Sequence, residues 1–382
     1  MQNFPKRLAV KLSDRTKSGS LRALRQSGSL IDFSSNDYLG FARCVEIYQT
    51  AHSLVEQNGI SNGATGSRLI SGNYDLYTEA ESLTATFHGA ESALIFNSGY
   101  DANLGFFSSV PQRNDIVLYD EYCHASIRDG IRLSGAKSIK FAHNDLHDLQ
   151  RRLEKFNSDG NEIFVATESV FSMDGDSPDL LQLVELCTKY GARLVIDEAH
   201  AVGVFGKKGE GLIAANKLQD RIFATIVTFG KALGCHGAAV LGSADLRDYL
   251  INFARSFIYS TALPPHAVAT VIAAGQHLQN ADSDRHKLTQ NIRFFDSCAT
   301  KYGISDKIIV GNSAIKCVVI PGNETVQKIS RQFIDRNFDI RAILSPTVPI
   351  GQERLRICIH SYNSQAEIEE VLRLLATFVK QE

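Results

Sequence analysis

The sequence predicts an α/β protein with a mostly parallel central sheet and a smaller α+β domain at the carboxyl end. Short apolar runs at 93–96, 116–119, 138–141, 163–167, 194–196 and 223–228 read as buried strands, with amphipathic helical patterns between several of them. Past Pro264-Pro265 the rhythm changes to a long helical stretch followed by three strand candidates and two helices. At 382 residues, 44% of them apolar, the chain is long enough for one large core and a second domain.

Taken in order, a basic, polar arm comes first, and residues 1–20 lack the apolar core of a secretory signal. A turn-rich segment at 34–40 precedes a helical pattern over 45–57, which stops at Asn58-Gly59. Four glycines at 59, 63, 66 and 72 are too many for a regular element. The next helix places Leu76, Ala80, Leu83 and Phe87 on one face and ends at Gly89. Within the alternating region, Leu180, Leu183, Val184 and Cys187 mark a helix closing at Gly191. One more strand is expected at 238–241, with its pairing direction unreadable. The last strands are expected at 315–320, 340–343 and 355–359, with helices at 325–336 and 365–379. The expected division is an arm at 1–40, a large α/β domain at 41–265 and a small α+β domain at 266–382.

A net charge of -2 argues against non-specific binding to nucleic acid or to an anionic membrane. No run reaches the roughly 18 apolar residues that a membrane helix needs. The seven cysteines are scattered and form no Cys-x-x-Cys pair, which suits reduced thiols in a cytoplasm and neither a disulfide framework nor a metal cluster.

Two strand ends carry the chemistry. Val195-Ile196-Asp197-Glu198-Ala199-His200 ends one apolar strand, and Ile226-Val227-Thr228-Phe229-Gly230-Lys231 ends the next. An amine at a strand end can form a Schiff base with an aldehyde, and a neighbouring acid can hold a heterocyclic nitrogen protonated. Those two provisions are what pyridoxal 5'-phosphate chemistry asks of a protein. Asn97-Ser98-Gly99-Tyr100 joins a strand to a helix start, where backbone N–H groups and a hydroxyl suit a phosphate. His124 follows another strand end, where it could stack on a ring, and Ser169–Asp176 lies on the same edge. Taken alone, 97–103 reads better as an ordinary strand-to-helix turn, a satisfied structural histidine is the competing reading of His124, and the Asp-Gly at 174–175 is partly turn chemistry.

Two strings mislead. Asp197-Glu198-Ala199-His200 spells a helicase box, but the phosphate loop such proteins need is missing. Gly59-Ile60-Ser61-Asn62-Gly63 fits a nucleophile elbow, but it follows a helix rather than a strand.

The chain resembles the α-oxoamine synthases, a branch of the fold-type I pyridoxal phosphate enzymes with the aspartate aminotransferase-like fold. The resemblance rests on FSSNDYLG at 33–40, NSGYDAN at 97–103, His124-Ala125-Ser126, FSMDGD at 171–176, Asp197–His200, TFGK at 228–231, YSTALPP at 259–265 and LSPTVPIGQERLR at 344–356. It implies that Lys231 holds the cofactor and then removes the substrate's α-proton. Asp197 would pair with the pyridine nitrogen, His200 and Ser172 would bond around the phenolic oxygen, and His124 would stack on the ring and assist as an acid. Ser98, Gly99, Tyr100 and Thr228 would surround the phosphate. Ser260 and Thr261 match residues that reach the phosphate of a partner subunit, which implies a homodimer with shared sites. Arg356 would grip the amino acid's carboxylate, a job that suits a guanidinium. Asn36 matches a nearby substrate contact.

The implied reaction is decarboxylative condensation of an amino acid with an acyl thioester. Pro346-Thr347-Val348-Pro349 followed by Arg354-Leu355-Arg356 points to the branch that joins L-alanine to pimeloyl-CoA or a pimeloyl carrier protein. Arg22 falls where some members place an arginine for the distal pimeloyl carboxylate. The chain departs from the family at Cys123, at Gly63-Ala64-Thr65-Gly66, at Tyr77 and at Cys235-His236. Sibling synthases that use glycine with acetyl-CoA or serine with a long acyl thioester, an aminotransferase, and a non-catalytic member of the fold stay open.

Overall fold

The computed structural model describes residues 4–24, 28–59, 61–156 and 161–380. Ile60, inside the misleading 59–63 string, and the first three residues of the arm lie outside them. Two compact units divide the chain. The larger comprises Asn36–Ser172 and Asp176–Lys287; the smaller comprises Met1–Ser35, Met173–Gly175 and Leu288–Glu382. Among the described residues the strands are β1 (Ile31–Asp32), β2 (Ser92–Phe96), β3 (Ile116–Asp120), β4 (Lys137–Phe141), β5 (Ile163–Glu168), β6 (Arg193–Asp197), β7 (Ala224–Thr228), β8 (Ala238–Gly242), β9 (Ile315–Val319), β10 (Phe338–Asp339), β11 (Arg341–Ile343) and β12 (Arg354–Cys358).

The larger unit is built on a seven-stranded sheet in the order β2-β8-β7-β6-β5-β3-β4. Neighbours from β4 to β7 pair in parallel, and β8 runs antiparallel to both β7 and β2. The direction of β8 was unreadable because periodicity carries no sense of pairing. The apolar runs split by the period-two rule. Val117, Phe164, Ala166 and Val195 join one core, whereas Ile116, Leu118, Ile163, Val165, Leu194 and Ile196 join another. Burial on both faces explains why these strands lack polar alternation.

The helices Val45–Gln57, Asp75–His88 and Leu180–Lys189 form where the apolar spacing predicts them. The second ends on Gly89 in the left-handed conformation, with φ 67°.

The smaller unit carries a three-stranded antiparallel sheet, β11-β12-β9, with helices Asn323–Asp335 and Gln365–Lys380. β1 pairs in parallel with β10, Ile31 opposite Phe338. Reading the amino-terminal segment only as an arm missed the helix Lys6–Lys17, which buries none of its residues and leaves Leu8, Val10 and Leu12 exposed. Among the described residues no helix is long and apolar enough to cross a membrane, and all seven cysteines are free thiols.

The return from β7 to β8 is tight. Phe229 N–H bonds Gly237 O at 2.9 Å, Cys235 N–H bonds Phe229 O at 2.8 Å, and Gly234 N–H bonds Lys231 O at 2.8 Å. Gly234 takes φ +64°, and a Cβ there would stand 2.1 Å from the backbone nitrogen of Ala42. Replacing Gly234 with alanine is expected to cost about 2 kcal/mol or more. A drop in the thermal midpoint measures it, and an unchanged midpoint would show that the turn adapts.

Candidate active site

Parallel strands deliver their carboxyl ends to one edge of the larger unit's sheet, the edge where α/β sheets bind ligands. Asp197 is the last residue of β6, opposite Glu168 in β5 and Ile226 in β7. Lys231 lies three residues beyond the end of β7, in the turn just described. The positive charge of Lys231 bears on both His124 and Glu168, and the negative charge of Asp197 bears on the same two residues. The fold therefore brings Lys231, Asp197 and His124 into one electrostatic neighbourhood.

Asp197 is 6% exposed. Its Oδ2 accepts from Asn103 Nδ2 at 2.8 Å, and its Oδ1 accepts the Ala199 N–H at 2.9 Å. Both partners are donors, which suits a carboxylate rather than an acid. His124 precedes the helix Ala125–Ser134 and caps it, its Nδ1 taking the Ser126 N–H at 3.3 Å. Burial pushes the His124 pKa down; Asp197 pulls against it, and Lys231 adds to it. His200 is buried, with Nδ1 2.7 Å from the Tyr38 hydroxyl, which in turn bonds Asn36 Oδ1 at 3.2 Å.

Ser98 caps the helix Gly99–Ser109, and its Oγ bonds both the backbone N–H and the carboxylate of Asp101. The N–H groups of Gly99 and Tyr100 have no intramolecular partner among the described residues. A Cβ on Gly99 would lie 3.6 Å from Thr228 Oγ1, so this helix start stands beside the end of β7. Free N–H groups at a helix start and a glycine that lets a ligand approach fit a phosphate, beside the Thr228 hydroxyl, which here donates to Gly237 O at 3.2 Å. With the carboxylate of Asp197 and the amine of Lys231 on the same edge, the donor set fits pyridoxal phosphate. Tyr100 itself is largely exposed, its hydroxyl bonded to Asp129.

Ser172 is half-buried on the turn after β5. Thr261 is exposed, and its carbonyl is held by Asn97 Nδ2 at 2.7 Å, just after Ser260. Arg356 and Arg22 belong to the smaller unit. Arg356 is buried on β12 with Nη1 3.0 Å from Cys358 Sγ. Arg22 bonds Thr347 Oγ1 at 3.3 Å and lines a cavity of about 780 Å³ with Arg331, Arg341, Leu344 and Ile334.

Several residues escaped the sequence reading. Glu168 is buried, pushed up by burial and by Asp197, and accepts the His124 N–H at 2.7 Å. Burial lifts Glu198 to about 7, while Leu212 N–H at 2.8 Å and Ile213 N–H at 3.2 Å pull against it. His143 bridges Asp120 and Asp176 at 2.9 Å each, its ring between Tyr122 and Phe171 with both centroids 4.4 Å away. Phe171 N–H bonds Asp176 O, so this ion pair fixes the turn that carries Ser172. Asp-Gly turn chemistry at 174–175 masked the signal.

The aminotransferase class I and II model matches residues 29–375. The chain belongs to this family, in its α-oxoamine synthase branch. It is 40% identical over 375 residues to the 8-amino-7-oxononanoate synthase of Emericella nidulans, covering 92% of this chain and 90% of that one. It is 38% identical over 359 residues to the enzyme of the same name from Geotalea daltonii, covering 94% and 90%. Among solved structures, a serine palmitoyltransferase from S. paucimobilis with a bound PLP–myriocin aldimine superposes with TM-score 0.90 at 26% identity, covering 98% and 97%. An 8-amino-7-oxononanoate synthase from Francisella tularensis superposes with TM-score 0.79 at 30% identity, covering 92% and 98%.

The departures from the α-oxoamine synthase pattern at Cys123 and Tyr77 have structural uses. Cys123 is a buried filler whose Sγ reaches Ala166 O at 3.5 Å. Tyr77 lies under the Arg68 guanidinium at 3.9 Å, and its hydroxyl accepts the Leu263 N–H at 2.8 Å, two residues past Thr261.

His143 also carries a pH signature. Burial pushes its pKa down, but Asp120 and Asp176 outweigh that and raise it from 6.5 to about 9. A raised folded-state pKa stabilises fully below about 6.5, and that contribution is lost as pH rises through about 9. His143→Asn is expected to lower the thermal midpoint by several degrees near pH 6, roughly three pH units below the ion pair's loss, with the gap closing near pH 10. A gap that stays equal at both pH values would contradict the charged bridge.

Proposed function

We propose that this chain catalyses the decarboxylative condensation of L-alanine with a pimeloyl thioester. The products are 8-amino-7-oxononanoate, carbon dioxide and the free thiol, in the formation of biotin. The observation that carries this reading is Lys231, fixed in a rigid turn at the sheet edge that also holds Asp197 and His124. The identity of about 40% to 8-amino-7-oxononanoate synthases supports this choice of substrates. Serine palmitoyltransferases superpose with a higher TM-score, 0.90 against 0.79. Substrate choice lives in side chains, however, and identity to those transferases is only 26%.

Pyridoxal 5'-phosphate, when bound, supplies an electron sink for the carbanion left as the α-proton departs. Each residue's part follows from its chemistry. Lys231 anchors the cofactor, then takes the α-proton at Nζ. Asp197 would pair with the pyridine nitrogen, His124 would stack on the ring, and His200 and Ser172 would bond at its phenolic oxygen. Ser98, Gly99, Tyr100 and Thr228 hold the phosphate, while Ser260 and Thr261 reach the phosphate held by the second copy of a homodimer. Arg356 takes the amino acid carboxylate, with Asn36 as a further substrate contact. We assign the distal carboxylate of the acyl chain to Arg22, which lines a cleft bearing three guanidinium groups and apolar walls. Free thiols throughout suit a cytoplasmic setting.

Mass analysis of the product formed from L-alanine and pimeloyl-CoA tests the reading, with glycine and serine offered in parallel. A strong preference for glycine would overturn it. Lys231→Ala is expected to lower turnover roughly 1,000-fold or more while the fold is kept. Arg22→Ala should shrink the advantage of pimeloyl-CoA over a carboxylate-free acyl-CoA of similar length, and an undiminished advantage would remove Arg22 from the substrate site.

A further inference from the structure

Asn103 lies in the second turn of the helix Gly99–Ser109 and is 1% exposed. Its Nδ2 donates to Asp197 Oδ2 at 2.8 Å and to Ser126 Oγ at 3.1 Å. The orientation of this amide is forced, because a flipped amide would set a carbonyl oxygen against the Asp197 carboxylate. Its Oδ1 is buried with no hydrogen-bond partner among the described residues, a destabilising arrangement. An apolar residue of similar shape would avoid that cost, so stability alone does not explain an asparagine here.

The hydrogen-bond directions then follow around the chain of groups. Ser126 Oγ receives a hydrogen from Asn103, which leaves its own hydrogen for His124 Nδ1 at 2.7 Å. The Ser126 N–H also points at Nδ1, at 3.3 Å, and a backbone amide can only donate. Two donors therefore meet one ring nitrogen. Nδ1 must offer its lone pair, and the proton of a neutral imidazole then sits on Nε2. Ser126 is fully buried, so water reaches this bond only from the exposed His124 side.

We propose that Asn103 and Ser126 are positioning residues for the reaction: one amide holds the Asp197 carboxylate and, through the Ser126 hydroxyl, fixes His124 as the neutral tautomer with its proton on Nε2. Desolvation by its neighbours lowers the His124 pKa although part of the residue is exposed, which agrees with a neutral ring. The group that lies against the cofactor ring and the group that faces its nitrogen are thus set by one side chain. A proton supplied by His124 comes from Nε2 alone.

The test is ¹⁵N NMR of the histidine ring nitrogens in the full-length protein, with and without cofactor, the His124 signals being identified by His124→Asn. The wild type is expected to show an unprotonated Nδ1 and a protonated Nε2 at neutral pH. Ser126→Ala removes the shorter bond, so the Nδ1 resonance should shift while Nε2 keeps its proton. Asn103→Leu should shift Nδ1 less and also weaken cofactor binding about tenfold, because Asp197 loses a charge-assisted donor. A wild-type ring protonated on Nδ1, or Ser126→Ala signals coincident with wild type, would overturn the proposal even if Asn103→Leu failed to fold. The cofactor arm rests on the assignment of Asp197 given above. The ring-nitrogen arm needs no substrate, so the proposal and the reaction assignment fail separately.

Discussion

Parallel pairing is the constraint from which the candidate site follows. Strands β3, β5, β6 and β7 run the same way, so the segments that follow them all leave the sheet on one edge. β2 joins them although its partner β8 is antiparallel, because β8 reverses twice over, against β7 and against β2. Five separate stretches of sequence therefore meet: Asn97 to Tyr100, Cys123-His124, Ser169 to Ser172, Glu198 to His200, and Phe229 to Lys231. None is near another in the chain. Their convergence is a property of strand direction, which the helices covering both faces of the sheet make possible.

Gathering so many polar groups at a buried edge needs compensation, and each acid finds a different one. Asp197 takes two N–H donors. Glu198 binds the backbone of the helix Gly211–Ala215, and Glu168 holds the backbone of His124. Asp120 and Asp176 share one imidazolium. Donors close enough to replace water offset part of that burial, yet Glu168 and Glu198 still sit well above the usual carboxylate range.

The architecture of the sheet was legible because strands buried on both faces are written as continuous apolar runs, and β5 and β6 were found within one residue at each end. Lys231, Asp197, His124 and His200 were legible as residues because each follows such a run. Their hydrogen-bond partners were not. Asn103 looks like an ordinary helical polar residue, and Tyr38 looks like part of a turn. His143 gains its meaning from Asp120 and Asp176, 23 and 33 positions away. Periodicity reports which face a residue occupies, but not which side chain waits across the gap. The helix Lys6–Lys17 stayed hidden for a different reason: its few apolar residues, Leu8, Val10 and Leu12, lie among so many charged ones that the segment reads as a polar arm.

The reversal at β8 has a consequence for how this chain can vary. A parallel successor to β7 would need a crossover of a dozen residues or so, with slack to absorb insertions. Here nine residues, 229–237, separate two strands whose register is set by Thr228 opposite Ala238. One extra residue in that span would either slip the register, turning every β8 side chain to the wrong face, or lift the turn away from Ala42. The larger unit can lengthen its other connections at little cost, but the segment bearing Lys231 has no spare length. The reach of the amine is thus limited to what its own four methylenes allow.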